Sequence, residues 1–196
     1  MINQKQSIYI RITKTGSSSM SKWIISNGFP TLIFSVRSKN FELQRSKFKN
    51  IKNLDDFFTF TLCRNPFARA VSSWRFFLTS NRLSTDSCQL ISFADFLKNK
   101  PENTYWHQHK RPQHDFVLNF ENFFETNIYS IQKLENLNKA LTTLSDMYPK
   151  ESYALFPKIR VSNTRPYQEF YNDETKDLVL KMFEKDFEYF NYSTEL

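Results

Sequence analysis

The sequence predicts an α/β fold: a single domain over 1–196 with a central, mainly parallel sheet flanked by helices. Two observations carry this. Short β-branched or aromatic runs alternate with stretches of helical periodicity, the order that builds a parallel sheet covered on both faces. Two of the strand-to-helix junctions, Lys14–Ser19 and Arg64–Ser72, also carry cations, hydroxyls and helix-start residues.

Taken in chain order, Ser7 to Ile12 alternates, with Ile8, Ile10 and Ile12 on one side and Tyr9 and Arg11 on the other, which predicts a strand over 7–12. Lys14, Gly16 and the hydroxyls of Ser17, Ser18 and Ser19 follow, Gly16 being free to take a positive φ. Met20, Trp23 and Ile24 fall at helical spacing, and Asn27-Gly28 before Pro30 is a stop, so a helix is predicted over 17–27. A strand near 31–36 comes next. The basic stretch Arg37 to Lys52, interleaved with Phe41, Leu43, Phe48 and Ile51, reads as a solvated amphipathic segment.

Phe57 to Cys63 is a β-prone aromatic run, and Asn65 is a good N-cap with Pro66 at the first helical position. Phe67, Val71, Trp74 and Leu78 form one apolar stripe of a helix over 66–79, which leaves Arg69, Ser72 and Arg75 to other faces. Ser92 caps a helix over 92–99 that buries Phe93, Phe96 and Leu97. Lys100 to Asp115 reads as a polar loop holding Trp106, Arg111 and the three histidines His107, His109 and His114, the natural place for contacts with a substrate. Strands near 116–120 and 128–132, a helix over 136–147 burying Leu137, Leu141 and Leu144, and a helix over 173–187 complete the chain.

The two junctions suit anions. The first N–H groups of a helix have no internal partner and carry the positive end of its dipole, so an anionic oxygen settles there. Lys14 adds a mobile point charge over the same anion. Arg64 stands at a strand end, and Ser72 lies about two turns down the following helix, where its hydroxyl shares an anion with Arg64 only if that anion lies along the helix flank. A Walker P-loop needs a glycine at each end and the lysine after the second, whereas here the lysine precedes the one local glycine. With only Gly16 and Gly28 in the chain, a Gly-rich phosphate loop is excluded too. A serine-capped solvated turn at Lys14–Ser19 and a plain helix start with a surface arginine at Arg64 stay open as the plainer readings.

Together the segments resemble the sulfotransferases that use 3′-phosphoadenosine 5′-phosphosulfate (PAPS), and most closely their carbohydrate branch. Thr13-Lys14-Thr15-Gly16-Ser17-Ser18-Ser19 is similar to the family's Pro-Lys-Thr-Gly-Gly-Thr-Ser, and Arg64, Asn65, Pro66, Arg69 and Ser72 match its Arg-(Asn/Asp)-Pro-x-x-Arg-x-x-Ser. His109-Lys110-Arg111-Pro112-Gln113 looks like its His-Trp-x-Pro-Gln element, and Ile131 to Leu137 like its strand and Glu-x-Leu element. Arg160 to Asn163 and Phe183 to Tyr192, with Asp186-Phe187 before an aromatic pair, resemble its ending. The departures are Thr13 for proline, Ser17 for glycine and Lys110 for tryptophan. Ser17 weighs most, because a Cβ restricts the approach of backbone to phosphate.

The resemblance implies a P-loop-like sulfotransferase fold and PAPS as co-substrate, with no metal. It implies that Lys14, Thr15, Gly16, Ser17, Ser18 and Ser19 hold the 5′-phosphosulfate, and that Arg64 with Ser72 holds the 3′-phosphate. Sulfuryl transfer is mostly positioning plus charge stabilisation, so Lys14 is expected on the leaving phosphate and sulfonate oxygens. No histidine precedes Arg64, so His109, which occupies the family's histidine position before Pro-Gln, is the expected base, with Asp and Glu as fallback. His-x-His alone lacks the further ligands of a zinc site.

Composition sets the outer bounds. The hydrophobic fraction is 40%, with 21 Phe and 9 Tyr, so the core should be rich in rings. No apolar stretch approaches the ~20 residues that span a membrane. Cys63 and Cys88 are too few for a disulfide framework. The expectation is a cytoplasmic enzyme of bacterial or viral origin. The formal charge of +7 suits an anionic cofactor and saccharide, and equally a basic module that touches nucleic acid. Sulfuryl transfer to a hydroxyl, with a saccharide as expected acceptor and no specific nucleic acid, is the main reading. An ATP-dependent P-loop-like kinase and a non-catalytic basic nucleotide- or nucleic-acid-binding module are the alternatives.

Overall fold

In chain order the elements are β1 (Gln6–Arg11), α1 (Ser17–Ser26), β2 (Thr31–Ser35), β3 (Phe57–Cys63), α2 (Pro66–Thr79), α3 (Phe93–Lys98), α4 (Gln113–Phe124), β4 (Ser130–Lys133), α5 (Leu137–Met147), α6 (Asp173–Met182) and α7 (Glu184–Tyr189). Short 3-10 turns stand at Leu54–Asp56, Leu134–Asn136 and Tyr167–Phe170. The computed structural model describes residues 6–35, 51, 54–79, 91–99, 108–159 and 165–196. The chain divides into two compact units, one of residues 1–63 and 115–159, the other of 64–114 and 160–196.

The first unit holds the sheet. Its order is β2-β1-β3-β4 and every pair is parallel, with Ile8 opposite Leu32 and Thr59, and Thr61 opposite Ile131. Both faces of β1 are covered, so Ser7 to Ile10 are all buried. On one face Tyr9, Phe58 and Phe60 pack with Met20, Trp23 and Ile24 of α1 and with Ala140 and Leu144 of α5. On the other, Ile8, Ile10 and Phe34 pack with Phe120 of α4. Helix α1 ends as its sequence requires: the Asn27 and Gly28 N–H groups donate to the Trp23 and Ile25 carbonyls, and Gly28 takes φ +63°.

One element differs in kind from the expectation. Residues 116–120 are not a strand but the middle of α4. Phe-Val-Leu is β-prone by itself, yet Phe116, Phe120 and Phe124 recur every four residues. Phe116, Val117 and Phe120 are fully buried as one helical face. Because α4 starts at Gln113, the polar loop expected to run to Asp115 ends earlier, while its first part, 100–107, with Trp106 and His107, lies outside the described residues. So do Cys88, Arg160 to Asn163 and, Ile51 apart, the basic stretch Arg37 to Lys52. Strand β4 begins two residues later than expected.

The second unit is helical among the described residues. Phe67, Val71 and Phe77 of α2 share one core with Phe93, Phe96 and Leu97 of α3 and with Val179, Phe183 and Phe187. The caps match the expectation: Asn65 Oδ1 accepts from the Phe67 and Ala68 N–H groups, and Ser92 Oγ from that of Asp95. The expected helix over 173–187 is broken at Phe183, whose φ of −122° ends α6 before α7 starts. Asp186, in the first turn of α7, is fully buried.

Phe120 meets Phe34 at 5.3 Å and Phe124 at 4.7 Å between ring centroids. Phe120→Ala should therefore cost about 3–5 kcal/mol, and Leu118→Ala, on the half-buried flank of α4, well under half of that. Urea unfolding of the two variants checks both the burial and the helical register; equal losses would contradict it.

Candidate functional site

The β1–α1 turn in the first unit is built around Thr15. Its side chain is fully buried and its Oγ1 donates to the Ile12 carbonyl at 3.0 Å, tying the turn back to the end of β1. Left-handed residues stand on either side, Lys14 at φ +67° and Gly16 at φ +73°. A lysine in that region stores strain of order 1–2 kcal/mol, so the turn is held against a local cost at the residue expected to carry the cation. Gly16 is the N-cap of α1 and offers no side chain to its first turn, which also has no acidic residue. The N–H groups of Ser17, Ser18 and Ser19 are the donors that a helix leaves without internal partners.

The serines are not equivalent. Ser17 starts α1 in helical conformation, so the Gly-to-Ser departure falls where no positive φ is needed. The Ser19 hydroxyl accepts from the Ile159 N–H at 3.1 Å. That amide ends a segment following α5 that runs along α1, with Ala154 accepting from Trp23 Nε1 at 2.7 Å and donating to Asn27 Oδ1 at 2.9 Å. The segment thus tracks α1 from its last turn to its first. Gly16 is also covered closely: a Cβ there would stand 2.9 Å from Leu134 Cδ1. Leu134, the residue just before the Glu135-Asn136-Leu137 element, therefore packs over the turn.

Arg64, Ser72 and His109 belong to the second unit. Arg64 is the residue between β3 and the Asn65 cap, and both of its backbone groups are taken by one side chain. Its N–H donates to Gln113 Oε1 at 2.9 Å, and Gln113 Nε2 donates to its carbonyl at 2.8 Å. Ser72 is buried in α2. The next residue, Ser73, donates from Oγ to the His109 carbonyl at 3.2 Å. The His109 ring is buried too, stacked on Phe76 at 5.0 Å and edge-on to Phe77 at 5.1 Å. His114 lies against Tyr189 instead, with centroids 4.9 Å apart. Lys110, which stands where the resembling motif has tryptophan, donates to the Leu97 and Asn99 carbonyls at the end of α3 and lies 4.7 Å over the Phe96 ring. A cation at a helix C-terminus is favourable there, and it still covers an aromatic surface.

Three residues do work that the sequence reading did not assign. Arg69, expected away from the apolar face, is fully buried, donates to the Arg111 carbonyl at 2.8 Å and lies 5.6 Å from the Phe183 ring centroid. Asp186 accepts from the Gln113 N–H on Oδ2 at 2.9 Å and from the His114 N–H on Oδ1 at 2.8 Å, capping α4 from the far end of the chain. Gln113 joins that carboxylate to Arg64. All three fall within the resembling motifs, but the link between residues 113 and 186 spans 73 positions and leaves no local periodicity.

The family model of the sulfotransferase family matches residues 1–193, which includes both turns and both units. The chain belongs to that family, a class of transferases whose reaction is sulfuryl transfer. No curated protein and no solved structure matches it. Among the described residues no helix is long and apolar enough to cross a membrane.

Gly16→Ala should destabilise the fold by about 1–2 kcal/mol, because an alanine at φ +73° is strained whatever space it finds. Leu134→Ala combined with it should return little, since the Leu134 methyl is the far end of a flexible side chain and the strain at φ +73° remains; thermal melts of the two variants decide. Asp186 has a pH signature. Burial raises its carboxyl above the ordinary carboxylate range, and Arg69 and the Gln113 and His114 donors pull it back only in part. The folded state thus binds this proton more tightly, so its contribution to stability is full at acidic pH and is lost as pH rises through the raised value. Against Asp186→Asn, the wild type should hold an advantage that shrinks from acidic to neutral pH in denaturant titrations. An advantage that grows would contradict it.

Proposed function

We propose that the protein moves a sulfuryl group from PAPS to a hydroxyl, with a saccharide as acceptor. The observation that carries this is the β1–α1 turn. Left-handed Lys14 and Gly16 flank a buried Thr15, and α1 opens with no side-chain cap or acid, inside a chain that belongs to the sulfotransferase family. The match runs across both units, which supports treating 1–196 as one sulfotransferase domain.

In this reading the N–H groups of Ser17, Ser18 and Ser19, with Thr15 and Gly16 shaping the turn, hold the 5′-phosphate. Lys14 meets the negative charge that develops on the leaving oxygen and the sulfonate oxygens. Arg64 holds the 3′-phosphate with Ser72, a guanidinium being suited to a phosphate by its fork of donors. His109 takes the proton of the acceptor hydroxyl. A formal charge of +7 suits an anionic donor and an anionic saccharide.

Calorimetry with adenosine 3′,5′-bisphosphate and ATP tests the donor. The bisphosphate should bind far more tightly, and Arg64→Ala should weaken it about 100-fold, the scale of a lost charge-assisted pair. Lys14→Ala should lose turnover by orders of magnitude with the fold kept. His109→Ala should lose about 10²–10⁴-fold in turnover with bisphosphate affinity intact; an unimpaired rate removes His109 from the mechanism. Tighter binding of ATP would favour the kinase reading. Steeply salt-dependent DNA binding, indifferent to Arg64 and Ser72, would favour the basic module. Saccharides screened with sulfur-labelled donor test the acceptor class.

A further inference from the structure

Arg64 is the first residue past β3, whose last ladder partner is the Cys63–Lys133 pair. There the strand has stopped supplying hydrogen bonds and α2 has not yet begun, so the Arg64 N–H and carbonyl need other partners. Gln113 meets both with one amide, at 2.9 and 2.8 Å. Gln113 is itself fully buried and cannot drift, because its backbone N–H and its Nε2 both donate to Asp186 Oδ2, at 2.9 and 3.3 Å. The His114 N–H holds the other oxygen of that carboxylate at 2.8 Å, and the charge of the buried Arg69 acts on it. The bracket holds residue 64 by its backbone N–H and carbonyl, the root from which the guanidinium extends.

We infer that Gln113, locked by Asp186, is a positioning residue that aims the Arg64 guanidinium at the 3′-phosphate of the sulfuryl donor. This rests on the assignment of Arg64 made above. The amide is chemically required: it alone among side chains of this length presents an acceptor and two N–H donors on one planar group, and all three are used here. A glutamate at 113 accepts from the Arg64 N–H but sets a second acceptor against the Arg64 carbonyl and Asp186 Oδ2. A methionine, of equal length, does neither. Loss of the bracket frees the backbone that carries the guanidinium, and arginine recognition of phosphate depends on orientation as well as charge.

The test is titration of the full chain with adenosine 3′,5′-bisphosphate and with adenosine 5′-monophosphate, which lacks the group that Arg64 would hold. The wild type should prefer the bisphosphate. Gln113→Glu should cut that preference roughly tenfold and leave 5′-monophosphate affinity within about twofold. Arg64→Ala keeps the backbone bracket but removes the guanidinium, so preference should already be low and adding Gln113→Glu should change it no further. Should Gln113→Glu not fold, Gln113→Met carries the same comparison. Preference kept in the Gln113 variants but abolished by Arg64→Ala overturns the inference and leaves the role of Arg64 standing. An equal fall for both nucleotides overturns it as well, because it marks a structural role alone, as does failure of both Gln113 variants to fold. Preference untouched by Arg64→Ala overturns the assignment of Arg64 itself, and the inference with it.

Discussion

The buried carboxylate of Asp186 is the constraint on which the helical unit turns. A carboxylate taken out of water is costly unless donors replace its hydration, and Asp186 gathers them from the start of α4 while the buried Arg69 supplies opposite charge. The arrangement works in both directions. The first N–H groups of α4 gain an anionic cap that no neighbouring residue provides, and Gln113 is fixed in the one pose that lets its amide face Arg64. Three separate stretches of chain, around residues 64–69, 109–114 and 183–187, are thereby made to agree on a single geometry. The break between α6 and α7 at Phe183 belongs to the same arrangement, since it is in the first turn of the short helix after it that Asp186 lies buried.

The sheet-bearing unit meets a different demand with different means. A chain with two glycines cannot wrap a phosphate in a glycine-rich loop, so the β1–α1 turn obtains its conformation from one glycine and one strained lysine, with a buried threonine pinned between them. Covering elements keep that turn in shape: Leu134 presses on Gly16, and the segment ending at Ile159 bonds the Ser19 hydroxyl. Strain at a residue of this kind persists only where the surroundings over-determine it. The parallel sheet contributes the rest, because β1 runs alongside β3 in the same direction and delivers this turn at its carboxyl end.

Much of this was legible in the residues. Alternation in Ser7–Ile12, the Asn65-Pro66 start, the Ser92 cap and the positive φ of Gly16 are local, and local chemistry decides them. The strand expected at 116–120 failed for a reason equally local in form. A five-residue window over Phe-Val-Leu-Asn-Phe fits either period, and only the recurrence at Phe124 and the start after Pro112 choose the helix. Arg69 does lie off the apolar stripe, but its burial was not legible, because a charged residue there is ordinarily solvated and its partners, Asp186 and the Arg111 carbonyl, stand on no helical wheel. The roles of Gln113 and Asp186 depend on a tertiary bond across 73 positions. The motif match flagged both, yet resemblance gives a residue's address and not its partner.

The two anion-binding devices of the proposed reading differ in what they tolerate. A helix N-terminus offers backbone donors whose directions are set by the helix itself, so substitutions among Ser17, Ser18 and Ser19 leave the donors in place while the turn holds. The serine where the family pattern has glycine meets no backbone strain, because the positive φ falls one residue earlier, at Gly16. An arginine offers donors at the end of a long, rotatable side chain, and its directionality has to be imposed from the backbone outward. The first device therefore asks little of distant sequence, and the second asks for an amide and a buried acid far along the chain. If the proposed roles hold, a relative that kept the β1–α1 turn but lost the residue at 113 or 186 would keep a phosphate site and lose its means of telling one adenosine phosphate from another.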